Sequence, residues 1–520
     1  KSLPSLTYRL QGTFKKSANV ATPDYRLNNS GLKEKNFSAT LGWKKSHYNL
    51  EAFYSQFQTK VGIFSGAHIG NLSDLLNAIG SERPSKLFTD QDTYKIGRPY
   101  QDVTHRLAKL KATVLTGANR FNLLVAAQFN RRKEFDVVRS ANIRGPQLDL
   151  NIMTVSEDLS WDHPAIGNLK GTVGVSLIQQ QNAYSGRYLV PNYQSSTEGA
   201  YLVEKWIKGK MEIQGGLRYD AKTVSTKRLL YGGGRVDHDF DYATFASSLN
   251  AIYRPDNHLQ VNVNVSLANR APYVNELLSN GIHEGSGTYE EGDINLKTER
   301  ALNFTSGLSF FNEAKTLSLD LSLYANYIDN FIYQQPKPND PVLTIAGAFP
   351  KLKYQQTNAL LKGIDLTGSY SFIKPLTLTS KMSLLRAFNR TADDWLIMMP
   401  SDRFSNSLKY SFENGSRFRD NFVTAEYSNV LKQTRVPSDK NGKQDYKEAP
   451  DAYSLLGVSA STTFSVHEKP VTLTFGVSNL LNTVYREYLN SFRYFTDEMG
   501  RNFSLRLRWQ FGKTIDQSLN

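Results

Sequence analysis

Residues 259–267 read LQVNVNVSL, with Leu259, Val261, Val263, Val265 and Leu267 in one phase and Gln260, Asn262, Asn264 and Ser266 in the other. A two-residue period puts each set on its own side of a pleated strand, so this segment has one apolar and one polar face. The same period recurs along the whole chain in segments of about ten residues, the repeated signature of a transmembrane β-barrel. Such a barrel buries nothing outside but lipid and keeps its polar groups for the lumen.

The spacing between segments adds direction. Nine connections are tight, at 44–46, 117–119, 162–167, 208–209, 255–258, 312–315, 373–375, 413–416 and 467–470. Between them lie longer polar stretches: 61–103 is the longest, with others near 134–147, 225–240, 271–298, 334–353, 434–451 and 483–499. Short turns on one rim and long loops on the other match periplasmic turns and extracellular loops. A soluble β-sandwich also alternates, but three features favour the membrane. The segments reach the length a tilted strand needs to cross hydrocarbon. Trp43, Trp161, Trp206, Tyr253, Phe311, Phe372 and Phe412 stand beside tight turns, where an interfacial aromatic girdle belongs. Full charges occupy the polar phase, as in Asp320, Arg506 and Arg508. An Arg on the lipid face near mid-bilayer costs about 2–4 kcal/mol. Arg506 and Arg508 are therefore expected in the lumen, with Leu505, Leu507 and Trp509 toward lipid.

Composition excludes other classes. With 40% hydrophobic residues, a mean hydropathy of −0.45 and no apolar run of about eighteen residues, the chain has no candidate spanning helix. Cys is absent, which removes disulfides and thiolate metal sites. The net charge of +14 is dispersed through the strands and comes with no reading helix or stacking platform, so no nucleic-acid partner is expected. A positive lumen and rim would attract anionic cargo and the phosphates of lipopolysaccharide or other outer-membrane lipid. The chain opens at Lys1 with no apolar leader, and the expectation is a piece of a longer product.

Three segments resemble TonB-dependent outer-membrane receptors. They are ANRAPYVNELLSNGIHEGSGTYEEGDINLKTERALNF at 268–304, FGVSNLLNTVYREYLNSFRY at 475–494 and the closing strand GRNFSLRLRWQF at 500–511. The resemblance implies an all-β transmembrane antiparallel β-barrel in the outer membrane of a Gram-negative bacterium, about twenty of an expected twenty-two strands being visible. It also implies an active transporter that is not an enzyme, importing a scarce, large nutrient such as a ferric siderophore or other iron complex. A TonB energy-transducing complex would drive it through a plug. The plug and coupling box of the family have no counterpart in the sequence, and the expected organisation is a barrel over 1–511 followed by a tail at 512–520. Rival readings are a passive porin, import of haem, cobalamin or a glycan, an outer-membrane hydrolase and an adhesion anchor.

No catalytic motif appears: HExxH, GxSxG and nucleotide-binding fingerprints are absent, and Tyr231-Gly232-Gly233-Gly234 lacks a following Lys. No resident metal or cofactor is expected. His47, His163, His258 and His467 fall in or beside turns, whereas His68, His238 and His283 fall in outward loops. The loop 271–298 is the candidate for contact with a small-molecule or metal-chelate cargo. Its His283, Glu284 and Tyr289 offer an imidazole, a carboxylate and a phenol among glycines. Arg270-Ala271-Pro272 is similar to a family motif of structural role, ending a strand at a fixed turn. One helix is expected at 68–80, with Leu72, Leu75, Leu76 and Ile79 on one face and Ser73 as its cap, lying across the mouth or the plug.

Overall fold

The computed structural model describes residues 5–137, 144–230 and 233–511. The tail at 512–520 and Tyr231-Gly232 of the glycine-rich tip lie outside the described residues. Twenty long strands, from Leu6–Ser17 to Asn502–Trp509, follow one another in an antiparallel meander in which each pairs with the next. They range from 8 residues in the last to 23 in Lys351–Ile373. All nine tight turns fall where the sequence puts them, each joining two long strands at the same rim. On the other rim, 225–229 and 235–240 prove to be wall: Met211–Leu229 and Arg235–Tyr253 pair to their tips, so His238 sits in a strand. Alternation continues there with polar residues on both faces, which reads as loop in sequence but pairs readily above the hydrocarbon. Conversely, 18–31, 187–191 and 390–402 are further outward connections beyond the seven expected stretches.

The facing of the side chains follows the register. Val265 pairs with Leu249 on one side and Phe304 on the other, and Val261 with Tyr253 and Leu308, forming a continuous outer apolar surface. Val265 and Phe304 are 42% and 46% exposed although nothing polar surrounds them. In the opposite phase Asn264 faces Asn250, and Ser266 faces Ser248. The charged residues join this inner face. Tyr201 donates to Asp158 at 3.0 Å, while Arg218 Nε donates to Asp220 at 2.8 Å and its Nη2 to Ser176 at 2.8 Å. Arg506 and Arg508 pair with Thr474 and Thr472, and Leu505 and Leu507 with Phe475 and Leu473, in the phases expected.

Among the described residues no ladder joins Leu6–Ser17 to Asn502–Trp509, yet the outward ends of these strands are tied. Gly500 N–H donates to the Ala21 carbonyl at 3.0 Å, and Tyr25 OH donates to Asp497 at 2.9 Å. The sheet therefore curves round until its two edges meet at the rim.

The largest apolar core lies in the loops and not in the wall. Leu27, Phe64, Ile69, Leu75, Ile79, Ala348, Tyr446, Tyr494 and Phe495 are drawn from five outward connections into one cluster. Wall residues have lipid to contact, whereas loop side chains in water can be sheltered only by each other, each large one gaining about 1.5–3 kcal/mol. The expected helix exists as α1, Leu72–Gly80, with Leu75 and Ile79 buried in this cluster. Two details differ from expectation. Its cap is Asn71, whose side chain accepts from Asp74 N–H at 2.8 Å, because Ser73 already lies inside the first turn. Leu76 points outward, 50% exposed. At the other end Lys447 Nζ donates to the Ile79 and Ser81 carbonyls, both at 2.9 Å, satisfying orphan acceptors of the last turn.

Candidate functional site

The loop 271–298 is anchored before it is shaped. Arg270 ends its strand and reaches Glu276 at 2.8 Å and Glu299, while Glu276 also accepts from Tyr273 N–H at 2.7 Å. That places Arg270 at the foot of a short helix α2, Val274–Leu278, as a structural clamp, the role its motif suggested. Beyond α2 a small hairpin, Asn280–His283 with Thr288–Glu291, carries the three residues singled out in sequence. Gly281 packs so closely on the 187–191 connection that a Cβ there would overlap the Tyr188 carbonyl oxygen, backbone that cannot rotate away. Gly281→Ala should therefore push the hairpin off its neighbour at a cost of about 1–3 kcal/mol. Faster hydrogen exchange at 280–291, with the wall unchanged, is the expected reading.

The hairpin directs its three side chains to different places. His283 Nδ1 donates to Glu290 at 2.7 Å and its Nε2 accepts from Arg132 at 3.3 Å, a tautomer set by these partners. It lines a cavity of about 280 Å³ with Arg132, Tyr193, Lys222 and Tyr273. Tyr289 lines a larger cavity of about 850 Å³ with Tyr188, Ile282 and the 344–346 turn, and its hydroxyl donates to Asn280 at 2.5 Å. Glu284 is 2% exposed and lines neither cavity.

What holds Glu284 was not visible in sequence. Arg187 Nη1 donates to Glu284 Oε1 and Nη2 to Asp136 Oδ2, both at 2.8 Å. His68 Nε2 lies 2.5 Å from Glu284 Oε2 and 3.6 Å from Asp136 Oδ1. Four outward connections thus meet in one buried knot. Burial alone would raise the Glu284 carboxyl, but the His68 hydrogen bond and the Arg187 charge hold it below the usual carboxylate range. Asp136 goes the other way, pushed up by burial and then by the neighbouring Glu284 charge. Burial likewise pushes Tyr188 up to about 12, so it stays a neutral phenol on the cavity wall.

A barrel of long strands with an asymmetric rim and an inward charged face has a matching family. The description "TonB dependent receptor-like, beta-barrel" fits residues 3–480 of the chain. The chain belongs to this family. TonB-dependent receptor barrels lie in the outer membrane of Gram-negative bacteria, and this one is an outer-membrane protein of that kind. It is similar to the TonB-dependent heme receptor A of Haemophilus ducreyi, 23% identical over 368 residues that cover 64% of this chain and 48% of that one. The chain therefore spans about half the length of that curated relative. Among solved structures it is similar to the copper transporter OprC, with a TM-score of 0.76 and 15% identity over 98% of this chain and 77% of that one. The FrpB iron transporter of Neisseria meningitidis gives a TM-score of 0.69 at 16% identity, covering 97% and 77%. The siderophore receptor PirA of Acinetobacter baumannii gives 0.67 at 15%, covering 98% and 76%. These likenesses concern the fold.

The late family-like segment also acquires a physical role. Asn479, with φ of 47°, is 5% exposed. Its side chain accepts from Thr483 N–H at 2.8 Å and donates to the Thr483 carbonyl at 2.9 Å. This closes the turn that leads into the 479–501 connection and its packed Tyr494.

Proposed function

We propose that this barrel is the wall of an active transporter that takes up an iron complex, energised by TonB through a plug domain. The observation that carries this reading is the roughly 850 Å³ cavity at the outward rim, where Tyr188, Tyr289, Arg187 and Ile282 border one space above a polar lumen. A pocket with apolar walls and two phenols suits a large, partly aromatic cargo. Tyr289 and His283 are the side chains proposed to touch cargo, each from its own cavity, while Glu284 holds the hairpin that presents them. Haem is the second reading, favoured by the name of the Haemophilus ducreyi relative.

The test is uptake of radiolabelled iron by cells that depend on this protein, supplied as a ferric siderophore or as haem. Deleting the gene should abolish uptake of one of the two, and collapsing the proton gradient should do the same. Tyr289→Ala combined with His283→Ala should weaken surface binding about tenfold or more, the equivalent of about 1.4 kcal/mol, with barrel assembly intact. Uptake that persists without the proton gradient would point to a passive pore.

A further inference from the structure

We propose that His68, Asp136 and Glu284 form a binding site for a divalent first-row transition-metal ion. This goes beyond the transporter reading and does not depend on it. The three residues lie far apart in sequence, yet a ligand atom from each falls within 4.8 Å of the other two. Their side chains are 2%, 1% and 2% exposed. One imidazole and two carboxylates make a mixed nitrogen and oxygen donor set, suited to ions such as Zn²⁺, Fe²⁺ or Mn²⁺ and not to soft, thiolate-seeking ones.

The arrangement of the oxygens separates a site from a simple ion-pair knot. Arg187 takes the outer oxygen of each carboxylate, Glu284 Oε1 and Asp136 Oδ2. The inner oxygens, Glu284 Oε2 and Asp136 Oδ1, lie 2.5 and 3.6 Å from His68 Nε2, and Asp136 Oδ1 also accepts from the Val137 N–H at 2.6 Å. Orienting a ligating carboxylate through its second oxygen is the work of an outer shell around a metal. His68 Nδ1 is buried with no partner, and the edge contact with Phe349 fixes the ring instead. Whatever occupies Nε2 is thus the ring's single polar anchor. Charge also leaves room for a cation. Two carboxylates against one guanidinium leave a buried excess of one negative charge when His68 is neutral, and a divalent ion at Nε2 would reverse it. The rival is a proton on His68, which neutralises the knot without any metal. An ion about 2.0–2.2 Å from each donor requires Nε2 and Oε2 to part slightly from 2.5 Å. The cavity of about 850 Å³ reaches His68, Asp136 and Arg187 and supplies an entry path and space for water ligands.

Zn²⁺, which is redox-inert, is the probe, and the intact protein in detergent micelles is dialysed against it and its bound metal counted. One ion per protein is expected. His68→Ala, Asp136→Asn and Glu284→Gln should each abolish it, and Arg187→Ala should weaken it about tenfold to a hundredfold as an outer-shell loss. His47→Ala, in a turn at the opposite rim, should leave it unchanged. Co²⁺ should give visible absorption with the parent protein and none with Glu284→Gln, whose folding is checked by its resistance to heat unfolding. A parent protein that retains no ion, or an ion that survives Glu284→Gln, would overturn the proposal and leave the protonated knot. The assay needs neither TonB nor cargo, so its failure and a failure of the uptake experiment are separate results.

Discussion

Replacing Val265 by Arg should cost the barrel about 2–4 kcal/mol of folding stability, while Asn264→Arg, one residue away, should cost well under half of that. Val265 stands between Leu249 and Phe304 on the outer surface. A guanidinium there meets hydrocarbon, and no neighbour on that face offers a carboxylate. Asn264 faces Asn250 and Thr305 on the inner side, where water or other polar groups solvate a charge. Unfolding by denaturant from lipid vesicles, followed by tryptophan fluorescence, reads the difference. Equal losses for the two variants would mean that the two phases do not face different solvents, and the membrane assignment of this strand would fall with them.

Arg187→Ala should loosen the outward cap without opening the wall. Removing one partner of a buried ion pair costs about 3–5 kcal/mol, because the remaining charges stay buried. With Arg187 itself 31% exposed, the low end of that range applies. The guanidinium is the link between the 187–191 connection and both Asp136 and Glu284, so its loss leaves two buried carboxylates with only His68 and the Val137 N–H beside them. Hydrogen exchange in 63–99 and 280–291 should rise by at least an order of magnitude, about 1.4 kcal/mol per tenfold, while the strand Leu259–Arg270 keeps its protection. Adding Asp136→Asn to Arg187→Ala should recover part of the loss, since one uncompensated charge is then gone. Exchange that is unaltered in the single variant would show that the cap is held by its apolar cluster alone.

That cluster explains why the cap was harder to read than the wall. The strand pattern 259–267 needs nothing beyond itself: lipid on one side and polar lumen on the other impose alternation on every wall segment, so periodicity reports facing directly. The nine tight turns are equally local, since a few residues must reverse the chain between two strands that pair. The family-like segments carried the clamp Arg270–Glu276–Glu299, whose members lie within 30 residues of one another. Where local pattern failed, both faces were polar, as in 225–240, and no lipid boundary distinguished strand from loop.

The sequence by itself determined the class, a count of about twenty strands, the rim asymmetry and the lumenal side for Arg506 and Arg508, because a bilayer acts on every crossing strand alike. Only the tertiary structure decided what the loops do. His68, Asp136, Arg187 and Glu284 are ordinary polar loop residues when read singly, and no spacing rule relates them. Curving the sheet until its edges meet brings their connections over one mouth, and desolvation there makes each charge require the others. Glu284 shows the distinction most plainly. As a sequence position it is a carboxylate in a glycine-rich loop, and in the fold it is a buried anchor, because the long-range contacts that remove it from water are formed by chain segments 97 and 216 residues away.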